Sequence, residues 1–172
     1  MAGLIITDQL SKWLVVENME PATAYPVIGE WFRLYLIRNP GAAFSFGTSV
    51  TPILAILQLA AFILCVVLSF KLRGKFVALP VAFIGGGAAG NFIDRVFRTP
   101  GGLRGHVVDF FSVQDFAIFN VADVCITVGV ALYVFYAFFI EPRNNTEDSA
   151  DTAEPSDETA ETDKDEPVKE GQ

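Results

Sequence analysis

Apolar residues fall into four long runs, and what interrupts or ends each run predicts an element. Thr51 to Phe70 is twenty residues of nearly pure apolar character closed by KLRGK, enough for a membrane-crossing helix. Phe76 to Ile93 predicts a helix returning across the bilayer, because only a few residues separate the two runs. It contains GGGAAG, which formally matches GxGxxG, but no strand precedes it and no βαβ unit surrounds it. Gly86 and Gly90 instead form GxxxG, a spacing that lets helix backbones approach closely in lipid. Residues 120 to 140 predict a further helix, with Asn120 as N-cap and Asp123 three positions later in capping-box spacing.

The first run, residues 2 to 16, is broken by Asp8 and Lys12, which are four apart and share a helix face with the acid N-terminal. An internal ion pair joining helices explains them as readily as chemistry does. No basic segment or small-residue cleavage site accompanies this run, so it does not read as a cleaved signal peptide. Fifteen helical residues reach roughly 22 Å, against about 30 Å of hydrocarbon. That shortfall predicts that residues preceding Met1 belong to the native protein.

Between the first two helices, Pro21, Pro26, Gly29, Pro40 and Gly41 break helical periodicity. WFRLYLIRN at 31 to 39 alternates in the manner of a strand, and Trp31 and Tyr35 suit the headgroup belt of a membrane surface. TPGGLRGH then predicts a loop, and HVVDFFSV from His106 a second strand. The expected fold class is an all-α polytopic membrane protein. It has four transmembrane helices, a small extracytoplasmic β element and a disordered acidic tail.

Composition supports that class: 172 residues with 52% hydrophobic content and a mean hydropathy of +0.42 are too apolar for an ordinary soluble domain. The formal charge of -8 describes the tail, since residues 141 to 172 carry twelve acids and three bases and leave the remainder at about +1. This segment lacks the apolar content to fold. The domains are therefore a membrane body over 1–140 and a solvated tail over 141–172. Lys71, Arg73 and Lys75 are dense enough to place their turn in the cytoplasm, although Arg33, Arg38, Arg95, Arg98 and Arg104 lie at the opposite end. Both termini are then cytoplasmic, and the sequon-like NNT at 144 to 146 would be idle.

Four carboxylates, Asp94, Asp109, Asp115 and Asp123, gather where two apolar runs meet the extracytoplasmic surface. Ionisable groups at such positions are costly and mark functional sites. Serine chemistry has only His106 as a base, with no serine set beside it by spacing. One histidine and two helix-embedded cysteines, Cys65 and Cys125, make a poor metal set and no disulfide framework. Two carboxylates, one protonated and one ionised, can activate water and protonate a leaving amine without a cofactor, and Asp109 and Asp123 fit that role. Two other classes stay open: a proton- or cation-coupled carrier using the clustered acids, and a non-enzymatic assembly factor tolerant of Asn at both positions. Acids clustered at one face, with apolar helix middles, favour an interfacial enzyme.

DQLSK at 8 to 12, RNPGAAFSFG at 38 to 47, GGGAAGNFIDRV at 85 to 96, VVDFF at 107 to 111 and FNVAD at 119 to 123 resemble, in order and helix placement, the motifs of bacterial lipoprotein signal peptidase (signal peptidase II). The resemblance covers residues 5 to 140. Ser11 stands where that family usually has Thr, and the apolar stretch that normally precedes DQxxK is missing.

The resemblance implies an aspartic endopeptidase of the bacterial cytoplasmic membrane, cleaving prolipoprotein signal peptides before the diacylglyceryl-modified cysteine. Asp109 and Asp123 match the catalytic pair. Asn39, Gly41, Asn91, Arg95 and Asn120 match residues supporting substrate and dyad, while Asp8, Lys12 and Asp94 hold structure nearby. Implied partners are lipid-modified signal peptides and membrane lipids, with no nucleic acid, no cofactor or metal, and a monomeric enzyme. If Asn120 caps its helix, Asp123 lies at the positive end of the macrodipole, worth about 0.3 to 1 kcal/mol to a carboxylate. Asp123 is then the ionised partner, and Asp109 more often carries the shared proton.

Overall fold

The structure, a computed structural model, describes residues 1–41, 50–71, 74–114 and 117–139. Asp115, residues 42 to 47 of the RNPGAAFSFG motif, Arg73, Ile140 and the acidic tail lie outside the described residues. Eight elements follow in chain order: α1 (Ala2–Asn18), β1 (Ala24–Ile28), β2 (Phe32–Asn39), α2 (Thr51–Lys71), α3 (Lys75–Phe97), β3 (Val107–Val113), β4 (Ala117–Phe119) and α4 (Val121–Phe139). Connectivity alone gathers the sheet at one end of the helices. It follows the C-terminal ends of α1 and α3 and precedes the N-terminal ends of α2 and α4.

The helices are turned inside out relative to a water-soluble bundle. In α1 the buried residues are Asp8 and Lys12, while Ile6, Leu10, Trp13 and Leu14 face outward. Likewise α2 and α4 expose long apolar faces that include Ile53, Leu57, Leu64, Val130, Val134 and Phe138. Such a distribution is stable only where the surrounding solvent is hydrocarbon. α2, α3 and α4 are each long and apolar enough to cross a membrane. At 17 residues α1 is shorter.

α3 is the central helix, packed against the other three, and its glycines explain how. A side chain at Gly85 would collide with Cys65 of α2, at Gly86 with Leu4 of α1, at Gly87 with the Ala122 carbonyl of α4, and at Gly90 with the Asp8 carboxylate. Close packing through GxxxG is therefore present. The run serves three neighbours rather than one. α3 also continues four residues past the expected end at Ile93, to Phe97, so that Asp94 and Arg95 sit on its last turn. The continuation is held by an ion pair one turn apart, Arg98 Nε to Asp94 Oδ1 at 2.7 Å.

The β element is larger than expected. Beyond the two strands predicted from alternation, β1 and the three-residue β4 complete a four-stranded antiparallel sheet in the order β1-β2-β3-β4. Pro26 within β1 and the brevity of β4 hid both, and both are edge strands, where Pro and short length are tolerated. An irregularity between Leu34 and Ile37 separates two registers of the β2–β3 ladder, Leu34 opposite Phe111 and Ile37 opposite Asp109. Residues two apart share a sheet face, so Asn39 comes to the same face as Ile37 and Asp109. The opposite face buries Leu36, Val108 and Phe110 against Val15, Val16 and Met19 of α1 and Val121 of α4.

Candidate active site

Asp109 stands on β3 and is 2% exposed. Both its oxygens accept amide hydrogens, Oδ2 from Asn39 Nδ2 at 2.9 Å and Oδ1 from Asn120 Nδ2 at 2.6 Å. Neither amide can turn over. Asn39 Oδ1 accepts from the Gly41 backbone N–H at 2.8 Å, and Asn120 Oδ1 from that of Asp123 at 3.1 Å. Each asparagine thereby presents its NH2 to the carboxylate. Gly41 is required for its part, with φ of +108° and a position where a Cβ would lie 2.8 Å from Leu54 Cδ1. The Thr51 hydroxyl bonds the Pro40 carbonyl and ties this turn to the start of α2.

Asp123 sits in the first turn of α4, half-buried. Its Oδ2 accepts from the Asn120 backbone N–H at 3.1 Å, which completes the reciprocal capping box. Its Oδ1 accepts from Asn91 Nδ2 at 2.8 Å. Asn120 therefore touches both aspartates, Asp109 through its side chain and Asp123 through its backbone and amide oxygen. Capping and pairing are one arrangement.

Burial pushes the Asp109 carboxyl up to about 6, the Asn39 hydrogen bond pulls down, and the charge of Asp123 adds to the rise. At neutral pH and below, Asp109 is thus poised to exchange a proton, as an acid–base catalyst must be.

A second layer lies behind the pair. Lys12, fully buried, spends its three donors on Asp8 Oδ2, Asp94 Oδ2 and Asn91 Oδ1, each at 2.9 Å. A carbonyl oxygen so held fixes which end of Asn91 meets Asp123, and the same oxygen accepts from Asn120 Nδ2 at 3.1 Å. Asp8 reaches on to the Ala122 backbone N–H at 2.9 Å, capping α4 from another helix, and Asp94 accepts from the Val108 N–H at 3.1 Å, next to Asp109. Two acids against one lysine leave a negative excess, which Arg98 offsets at Asp94.

Arg95 is 4% exposed and bonds backbone carbonyls, Gly105 at 3.1 Å and Asn39 at 3.3 Å, rather than either aspartate. It acts on the pair through its charge and through the loop it holds. Every sequence-derived site residue among those described comes to this one end of the bundle, and Asp94, Asp109 and Asp123 belong to two adjoining layers. Sequence reasoning missed the structural parts of Gln9, Arg98, Thr51 and Gly105. Gln9 bonds Asp8, the Gly90 carbonyl and Asp94, and its position beside Asp8 in DQLSK was the available signal. Gly105 abuts the Asp94 carbonyl so closely that no side chain fits, and nothing in the TPGGLRGH loop singled it out.

Beside Asp123 lies a cavity of about 400 Å³, lined by Ala117, Phe119, Val124, Thr127 and Val128 and almost wholly apolar. Above it Phe111 contacts Phe32 and Phe119, each ring pair with centroids 5.8 Å apart. An apolar chain thus has a surface leading to the carboxylates.

The family Signal peptidase (SPase) II matches residues 1–139. The chain is 44% identical over 135 residues to the lipoprotein signal peptidase of Rhodococcus jostii, covering 78% of this chain and 68% of that one. It is 38% identical to that of Mycolicibacterium smegmatis, over 93% of this chain and 71% of the relative. A bacterial membrane enzyme solved by the in meso method superposes with a TM-score of 0.70 at 29% identity, over 81% of this chain and 90% of the other. The two carboxylates, the asparagines that hold them and the match over nearly all of the membrane body lead to one conclusion: the chain belongs to the signal peptidase II family.

Proposed function

We propose that Asp109 and Asp123 are the catalytic pair with which this membrane-bound, aspartic-type signal peptidase removes signal peptides from prolipoproteins, cutting before the diacylglyceryl-modified cysteine. The observation that carries the proposal is Asn120, which holds one carboxylate with its side chain and the other with its backbone. A pair so fixed keeps its geometry while a proton moves.

The form of the pair that reacts, more populated as pH falls toward about 6, has the proton on Asp109 and the charge on Asp123, in the first turn of α4. A water between them gives a proton to Asp123 as its oxygen attacks the scissile carbonyl. Asp109 gives its own proton to the carbonyl oxygen, so the tetrahedral intermediate is a neutral diol. On collapse Asp123 passes its proton to the leaving nitrogen, while Asp109 takes one back from the diol hydroxyl. The C–N bond breaks, one new carboxyl and one amine leave, and the pair returns to its starting state.

Asn39 and Asn120 offer fixed N–H groups that limit the cost of charge on Asp109. The apolar cavity beside Asp123 and the Phe32, Phe111 and Phe119 rings suit a signal peptide arriving within the bilayer. The enzyme works as a monomer of four membrane crossings, α1 among them, with both termini cytoplasmic and the pair near the extracytoplasmic face of the bacterial cytoplasmic membrane. A carrier would need acids at successive depths, whereas α2 lacks acids and α4 holds only Asp123, in its first turn. The test is cleavage by purified protein of two versions of one precursor, with and without the diacylglyceryl group, read by mass spectrometry. A product beginning at the modified cysteine, from the lipidated version alone, is expected. Cleavage elsewhere, or equal cleavage of both, would overturn the assignment.

A further inference from the structure

The sheet has a second concave surface, turned away from Asp109. Ser112 alternates with Phe111 and so points to the face opposite Asp109, and its ladder partners Arg33 and Ile118 share that face. There Arg33, Tyr35, Ser112 and Gln114 line a hollow of about 570 Å³. Among the described residues no carboxylate lines it, and the one charged group that does is the Arg33 guanidinium.

That guanidinium is incompletely used. Its Nη2 donates to the Gln114 carbonyl at 3.3 Å, and its Nη1 lies 3.6 Å from Glu30, a side chain 86% exposed and so a weak, screened partner. Its Nε, shielded from solvent, has no partner among the described residues. A buried, unpaired donor costs free energy, and the guanidinium that carries it lines the hollow together with Tyr35 and Ser112. Planar guanidinium groups with adjacent hydroxyl donors suit a phosphate.

An independent feature sets the depth. The neighbouring hairpin exposes Tyr25, Val27, Ile28 and Trp31, a mixture of aromatic and aliphatic side chains. Tyr and Trp favour the level of the headgroups. Arg33 follows Trp31 by two residues, so seating Trp31 at the headgroup level would bring the hollow to the phospholipid phosphates.

We propose that this hollow binds the phosphate of an anionic phospholipid headgroup, through Arg33 with Tyr35 and Ser112, and that the bound lipid seats the sheet on the membrane surface. The site is distinct from the carboxylate pair, on the other face of the same strands.

The test is native mass spectrometry of the full chain released from mixed micelles of phosphatidylcholine with a limiting amount of phosphatidylglycerol. Arg33→Gln should retain about fivefold less phosphatidylglycerol than wild type, the factor that a single interfacial arginine contributes. Arg104→Gln, at an exposed arginine outside the hollow, should retain as much as wild type. Equal losses in the two variants, or none in Arg33→Gln, would overturn the proposal. So would displacement of the lipid by millimolar inorganic phosphate, which would make free phosphate the ligand. Should Arg33→Gln fail to fold, Tyr35→Phe removes a hydroxyl donor from the same hollow. It should also reduce phosphatidylglycerol retention, and unchanged retention would count against the site.

Discussion

Replacing Asp109 by Asn should change how stability depends on pH, in a direction and by an amount that follow from its burial. The carboxyl ordinarily titrates near 3.8 and is pushed up to about 6 in the fold. Between those values the unfolded chain has lost a proton that the native state keeps. Native stability therefore falls as pH rises through this window, and the loss is complete above about 6. Some two pKa units at 1.36 kcal/mol each amount to about 3 kcal/mol. The amide of the Asp109→Asn variant has no such proton. Its NH2 also meets either the Asn39 or the Asn120 donor, because both of those amides are locked, but that penalty does not vary with pH. The informative quantity is the wild-type minus variant difference, followed by thermal unfolding in a fixed detergent from pH 4 to 7. It should move by about 3 kcal/mol in the variant's favour, or roughly 6 to 12 °C in Tm for a chain of this size. Parallel curves, or a shift toward the wild type with rising pH, would refute the reasoning.

Lys12→Met leaves Asp8 and Asp94 buried without their shared cation and should lower stability by about 3 to 5 kcal/mol, measured as a loss of Tm and of membrane abundance. Gly87→Ala forces a methyl onto the Ala122 carbonyl and should cost about 1 to 3 kcal/mol. Gly3→Ala, which meets nothing within 4 Å, should unfold within about 0.5 kcal/mol of wild type in the same assay. Removing residues from Asn144 onward should leave cleavage of a lipidated precursor intact, since that stretch has the composition of a solvated segment. Lost turnover at normal abundance would give the tail a part in the reaction.

The three long apolar runs were legible because hydrocarbon sets a length and a composition that few other segments satisfy. The capping box at Asn120 and Asp123 was legible because it is local, four residues deciding their own hydrogen bonds. The Asp8–Lys12 pair followed from spacing, but its third member did not. Asp94 arrives from another helix, and a contact across 82 residues leaves no periodic trace. The edge strands were hidden for a similar reason: β1 carries Pro26 and β4 is three residues long, and only pairing with β2 and β3 makes them strands. The locking of Asn39 and Asn120 was equally out of reach. It depends on which backbone N–H each amide oxygen finds, and so on a folded loop at Gly41 as much as on the asparagine itself.

The central claim is that Asp109 and Asp123 share the work of one reaction. Its most direct test is single-turnover cleavage of a lipidated precursor by Asp109→Asn and Asp123→Asn, with precursor binding measured on the same preparations. Each substitution keeps the shape of the side chain and removes its ability to cycle a proton, so both variants should bind the precursor and neither should cleave it. Near-normal cleavage by either variant would contradict the account.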